Sequence, residues 1–330
     1  MIGMVMQRIA TLLRSRPLRF GVTGLGVLLL IHGVDLGQAA SVLEHADVRF
    51  ELMGVGLTAL GVACAVAAWA TVVRASGASI AIPRLASWYL QGVFIGHVTP
   101  SSAGGDATRA TGVSRAIGHG RGLASLAASR MASGLSMAIC GFIGALVANV
   151  DFGVPVILAA AAYLGLMLSI WWLALGAHRV MRLLARRNRR YISSAVRVVT
   201  PVTDALASFR ETPGALFACV GLAIAGWLLN IFALQTFAVA VGVHQPPSIF
   251  AVVVPISLIA TMMPVAINGI GLREGVLVGL LVHLGEGAAR SGALAILIDL
   301  QLIPFAIIGA WLFIRSRRRE PPALVGVGAA

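Results

Sequence analysis

The sequence contains no lysine and very little charge of any kind. All 25 of its basic residues are arginine, and charged residues occupy only 11% of 330 positions, against about 25% in soluble domains. That deficit excludes an ordinary soluble fold and leaves an integral membrane protein, embedded through nearly its whole length. Cysteine is scarce as well. Cys64, Cys140 and Cys219 lie inside apolar runs without a CxxC partner, which excludes a metal knuckle or dithiol redox motif and leaves small buried hydrophobes. The seven histidines follow no HExxH or other ligand spacing, so neither a metal nor another cofactor is expected.

What the chain does have is long apolar runs. A helix needs about 20 apolar residues to cross a bilayer. Six segments qualify, near 20–38, 52–73, 123–149, 154–177, 214–241 and 291–314. Two more, 85–99 and 249–263, are too short or interrupted, and each ends at a proline motif, at Pro100 and Pro264. Arg8, Arg14, Arg16 and Arg19 precede the first run, and "GQAAS" imitates a signal-peptide cleavage site. The apolar part runs on from Phe20, so a retained first span is the better reading.

The net charge of +13 would suit nucleic acid, but the arginines sit between apolar spans, and no nucleic-acid partner is expected. Arginines crowd the amino terminus, the 178–213 connection and the tail 315–330, whereas the opposite connections hold only Arg49 and Arg290. By the positive-inside rule both termini are cytoplasmic, in a multi-pass protein of a bacterial inner membrane. Six full crossings satisfy that count when the two short segments return to the face they entered. The basic 178–213 connection reads as a solvated cytoplasmic stretch that also suits anionic membrane lipids.

The two proline motifs, "PSSAGGDATR" and "PVAINGIGLR", match. Arg109 stands nine residues after Pro100 and Arg273 nine after Pro264, while Gly105 and Gly269 each stand five after. A shift of 164 residues lays 52–73 on 216–237, 85–99 on 249–263 and 123–149 on 287–313. The expected fold is therefore all-α, with about six transmembrane helices plus two re-entrant helical hairpins in a single membrane domain, 1–330. Repeat one covers about 20–149 and repeat two about 154–314. Three crossings per repeat is an odd number, so the second is inverted. Broken segments at matching positions of inverted repeats mark the binding site of a transporter.

Asp106, Arg109, Arg273 and Glu274 are the charges closest to the breaks. Each costs about 2.5–3.5 kcal/mol at the bilayer centre on insertion scales, which makes it a functional residue by default. Asp106 and Arg109 are three apart and can pair along one helix face; Arg273 and Glu274 are adjacent and are expected not to face each other. That predicts pairing between the hairpins, Glu274 with Arg109 and Arg273 with Asp106. The competing reading is that these charges only neutralise one another. Asp106 and Asn268 are good N-cap types, and capped helix starts beside a guanidinium favour a phosphate or carboxylate. Gly104, Gly105 and Gly269 let an anion approach the backbone. Thr99, Ser101 and Ser102 line the site or satisfy the turn. Asp299, in the last span, reads equally as a proton relay or as a hydrogen-bonded core acid.

"TPSSAGGDATRA" resembles the P-x-x-x-G-G-D-x-x-R element, and "MMPVAINGIGLREGVLV" the P-x-x-G-G-x-G-x-R-E element, of the lysylphosphatidylglycerol synthase transmembrane, or flippase-like, family. The resemblance covers about residues 15–315. One departure is "AING", which places Asn268 where the family pattern has glycine. The resemblance implies lipid handling: translocation of aminoacylated phosphatidylglycerol in the best-known relatives, and isoprenoid, hopanoid or glycan-lipid pathways in others. With the sequence ending at Ala330 it does not imply lysyl transfer, and a separate cytosolic synthase or a homo-oligomer joins the expected partners. The leading expectation is a lipid translocase for an anionic or aminoacylated phospholipid or a lipid-linked phosphate. Its rivals are a membrane-embedded enzyme acting on a lipid phosphate and a secondary transporter of a small anionic solute. No nucleophile–base pair supports the enzyme.

Overall fold

The computed structural model describes residues 35–99, 103–148, 153–187, 212–262 and 271–319, which form helices and turns with no strand among them. Local chemistry sets where the helices begin. α1 (Leu36–Glu44) starts at Asp35, whose Oδ1 accepts the Gln38 N–H at 3.0 Å. α2 (Val48–Ala75) starts at Asp47, whose Oδ1 accepts the Arg49 N–H at 2.9 Å. Both satisfy a donor that the helix itself cannot. α3 (Ile82–Val98) and α7 (Pro213–Ala240) carry proline in the first turn, where its missing N–H costs nothing. Between them run α4 (Ala103–Ile117), α5 (His119–Val147) and α6 (Gly153–Arg187); after them come α8 (Pro247–Met262), α9 (Leu272–His283), α10 (Ala288–Leu300) and α11 (Ile303–Arg319).

Five stretches are long and apolar enough to cross a membrane: Val48–Ala75, His119–Val147, Val156–Leu173, Pro213–Ala240 and Ala288–Ser316. They correspond to five of the six expected spans. Nearly all of the sixth, 20–38, lies outside the described residues, as does most of the 178–213 connection. The two short segments are α3 and α8, of 17 and 16 residues. At 1.5 Å per residue they reach about 24–26 Å, less than the hydrocarbon thickness of about 30 Å.

The last span departs from expectation. Residues 291–314 are not one helix: α10 ends at Leu300, Gln301 and Leu302 form a turn, and α11 resumes at Ile303. Pro304 explains the break, because it has no N–H for the Leu300 carbonyl and its ring crowds the preceding turn.

Two helix starts in the two halves keep step: α2 begins at 48 and α7 at 213, and α3 at 82 and α8 at 247, each 165 apart, whereas α4 begins at 103 and α9 at 272, 169 apart. The packing keeps step too. α3 lies on α4 and α11, while α8 lies on α9 and α5. The most extensive helix pair is α2 with α7. It crosses at Gly61 and Gly226, where a Cβ on either glycine would stand 3.3–3.4 Å from the other's carbonyl oxygen. Small residues are what bring two backbones this close in a bilayer, where no hydrophobic force drives helices together.

Three apolar clusters flank this crossing. One joins Val66, Trp69 and Val73 of α2 to Leu85 of α3 and Val113 of α4. A second joins α2, α5 and α7 to Trp171 of α6. The largest joins α7, α8, α9 and α10, with Ala39 of α1 beneath it. α6 is peripheral: 6% of the window Val156–Leu173 is buried, against 50% for His119–Val147.

Candidate functional site

A cavity opens beside the α2–α7 crossing. It encloses about 330 Å³, at the small end of the range for ligand sites. Its walls come from both halves at matching positions. Gly61 and Gly226, Ala65 and Asn230, and Tyr89 and Val254 all line it, each pair 165 apart in sequence. The surface is mostly apolar, with Ser129, Ser133 and Ser257 set into it and Arg273 as its cation. The Thr58 hydroxyl donates to Gln301 Oε1 at 2.7 Å, tying α2 to the turn between α10 and α11. Trp227 Nε1 donates to the Ser133 carbonyl at 3.0 Å, tying α7 to α5.

Two ionic clusters lie near the cavity, one reaching its wall through Arg273 and the other set behind Tyr89 of that wall. In the first, Asp106 on α4 pairs with Arg109 one turn on at 3.5 Å, and its Oδ1 accepts a hydrogen bond from Arg130 Nη2 on α5. The Arg109 guanidinium lies 4.0 Å from the centre of the Tyr89 ring, a cation–π contact that seats it behind a residue of the cavity wall. Its side chain is 11% exposed, and its buried Nε has no hydrogen-bond partner.

Close packing holds this hairpin. A Cβ on Gly105 would stand 2.3 Å from the Gly92 carbonyl oxygen, and one on Gly92 would meet Arg109 at 2.6 Å. Only glycine at both positions lets α3 and α4 lie so near. That is the physical reason for the "GGD" element.

In the second cluster, Arg273 on α9 donates through Nη2 to Asp299 Oδ1 on α10, and its Nε lies 3.2 Å from Glu274 Oε1. Glu274 Oε2 accepts the Gly271 N–H at 2.7 Å, closing the first turn of α9. Gly271 has φ +81°, a left-handed backbone that favours glycine.

Three expectations are corrected. The charges do not pair between hairpins: Asp106 bonds to Arg109 and Arg130, and Arg273 to Glu274 and Asp299. Each hairpin finds its counter-ion on the next helix of its own half, because α4 packs on α5 and α9 on α10. Arg273 and Glu274 do meet although adjacent, because Glu274 folds back to cap its own helix and leaves Oε1 beside the Arg273 stem. Asp106 is not an N-cap, since α4 starts at Ala103 and Asp106 sits within its first turn. Gly104 packs against Thr99, whose hydroxyl donates to the Ile95 carbonyl at 2.7 Å. Ser101, Ser102, Asn268 and Gly269 lie outside the described residues.

Arg130 and Tyr89 belong to the site without having been singled out from sequence. A lone arginine in an otherwise apolar span is the signal that finds Arg130; nothing in the local pattern distinguishes Tyr89 from other interfacial aromatics.

Apolar helices of crossing length, gathered around a cavity with ionic clusters near it, define a multi-pass membrane protein. The family described as Lysylphosphatidylglycerol synthase TM region matches residues 17–311. The chain belongs to that family, as its two motifs imply, and so to membrane proteins related to lipid handling. No curated protein and no solved structure matches it.

Proposed function

We propose that the protein is a lipid translocase of a bacterial inner membrane, with both termini cytoplasmic. Its two halves form inverted repeats whose re-entrant hairpins, α3–α4 and α8–α9, meet at the cavity. The headgroup of an anionic or aminoacylated phospholipid, or of a lipid-linked phosphate, passes between Arg109 and Arg273 as the halves rock, while the acyl chains stay in the bilayer. Ser101, Ser102, Asn268 and Gly269 belong to the turns that the headgroup approaches, and Gly104 and Gly105 to the first turn of α4 beside one of them. Anionic lipids of the cytoplasmic leaflet meet the basic 178–213 connection, and a separate cytosolic synthase supplies the substrate.

The observation that carries this reading is the cavity itself. It is lined at matching positions from both halves, with Arg273 on its wall and Arg109 stacked on its Tyr89. A site shared by two related halves is accessible from either side when they tilt about it. Guanidinium groups in an apolar wall recognise a phosphate while excluding neutral lipids.

Purified protein reconstituted in vesicles with a fluorescent short-chain phospholipid tests the proposal. The wild type is expected to equilibrate the probe between leaflets, and the Arg109→Ala, Arg273→Ala double variant to fall to the rate of protein-free vesicles. A double variant with the wild-type rate removes the mechanism.

A further inference from the structure

The two ionic clusters are not electrically alike. The first sets two guanidiniums, Arg109 and Arg130, around one carboxylate, Asp106. The second sets two carboxylates, Glu274 and Asp299, around one guanidinium, Arg273. Formally the first carries +1 and the second −1. A surplus carboxylate inside a membrane protein is costly unless a cation or a proton neutralises it.

The two carboxylates of the second cluster have different freedom. Both Glu274 oxygens are engaged, one by the Gly271 N–H and one by Arg273 Nε. The group sits in the first turn of α9, where the helix dipole favours negative charge, and its side chain is 13% exposed. Asp299 uses only Oδ1, towards Arg273, and its side chain is 52% exposed. It lies at the last turn of α10, beside the break at Gln301 and Leu302. There the dipole disfavours a carboxylate and the interrupted helix opens onto the cavity.

Among the described residues, Arg273 is the cation bonded to Asp299. α9 faces it with Arg273 and Glu274, and His97 at the end of α3 lies within electrostatic range. His97 Nδ1 donates to the Val93 carbonyl at 2.8 Å. α7, which also packs on α10, carries no Asp, Glu, His or Arg between 213 and 240. α1, which also packs on α10, carries Glu44 as its ionisable residue, an acid that cannot neutralise a second acid.

We propose that Asp299 is a proton-binding site, and that its protonation frees Arg273 to bind a phosphate-type headgroup, so that a proton and an anion are taken up together. The balance is simple. The carboxylate accepts a proton and becomes a neutral acid, the cluster goes from −1 to neutral, and Arg273 keeps its charge. Binding a monoanionic phosphate diester then restores −1. Linkage is reciprocal: protonation strengthens anion binding, and the bound anion raises the proton affinity of Asp299 by the same factor. The first cluster has no surplus carboxylate and needs no proton. The proposal rests on the translocase reading only for the identity of the anion.

Infrared difference spectroscopy of the purified full-length protein, titrated with acid, reads the carboxylic C=O band directly. All twelve acidic side chains contribute to that band, so the readout is the difference between proteins: a component shared by the wild type, Glu274→Gln and Asp106→Asn is expected to be missing from Asp299→Asn. Dioctanoyl phosphatidylglycerol added to weakly buffered wild-type protein is expected to draw protons from solution. Its binding should tighten by up to about tenfold per pH unit of acidification, and Asp299→Asn should bind it with no pH dependence. If Asp299→Asn does not fold, Asp299→Glu carries the test, and should keep the band and the proton uptake with a shifted midpoint. A titrating band undiminished in Asp299→Asn, or lipid binding without proton uptake in the wild type, overturns the proposal. Neither readout uses transport across a bilayer. Vesicles that pass no lipid while the band and uptake persist would end the translocase reading and leave the proton site standing; the reverse result would end the proton site alone.

Discussion

Arg130 and Asp299 hold the motif charges in place from neighbouring helices, which makes the pairing testable one residue at a time. A double-mutant cycle between Asp106 and Arg130 should give a coupling energy near the lower end of the usual 0.5–3 kcal/mol, because both side chains are partly exposed and exposed pairs are worth little. The same cycle between Asp106 and Arg273 should give none, measured by thermal unfolding of the purified variants. A coupling between Asp106 and Arg273 as large as that between Asp106 and Arg130 would contradict the separate clusters. The four motif charges were legible in the sequence because ionisable groups beside apolar breaks stand out on cost alone. Of their partners, the Asp106–Arg109 pair was legible too, from its spacing of three, and those on neighbouring helices were not. Whether Asp106 meets Arg130 or Arg273 depends on which helices pack together, and spacing along the chain carries no information about that.

At the scale of helices, glycine position separates close packing from empty space. Gly105→Ala puts a methyl group into the Gly92 carbonyl and should destabilise the first hairpin by about 1–3 kcal/mol. Gly165→Ala, on peripheral α6 with nothing within 4 Å of a new Cβ, should instead be neutral or stabilising by up to about 1 kcal/mol. Melting temperatures of the two variants in the same detergent check the contrast. Five spans and both short segments were readable from run length alone, since the bilayer fixes how many apolar residues a crossing needs. The division of the last span at Gln301 and Leu302 was missed because hydropathy continues through it; only Pro304 marks the place, and proline is tolerated in many membrane helices.

Across the whole molecule, the proposed inversion of the two halves predicts opposite exposure of equivalent turns. With Cys64, Cys140 and Cys219 replaced by alanine, a cysteine at His119, the first residue of α5, should be labelled by an impermeant reagent only from the cytoplasmic side. One at Gly287, between α9 and α10, should be labelled only from outside. Labelling of both from one face would mean the halves run alike. The central claim is that a headgroup passes through the cavity the halves share, and filling that cavity tests it most directly. Ala65 lines it opposite Asn230, whereas Leu166 is 53% exposed on α6. In the vesicle assay, folded Ala65→Trp should transfer the fluorescent phospholipid no faster than protein-free vesicles, and Leu166→Trp should match the wild type. A folded Ala65→Trp protein that transfers lipid at the wild-type rate would contradict the account.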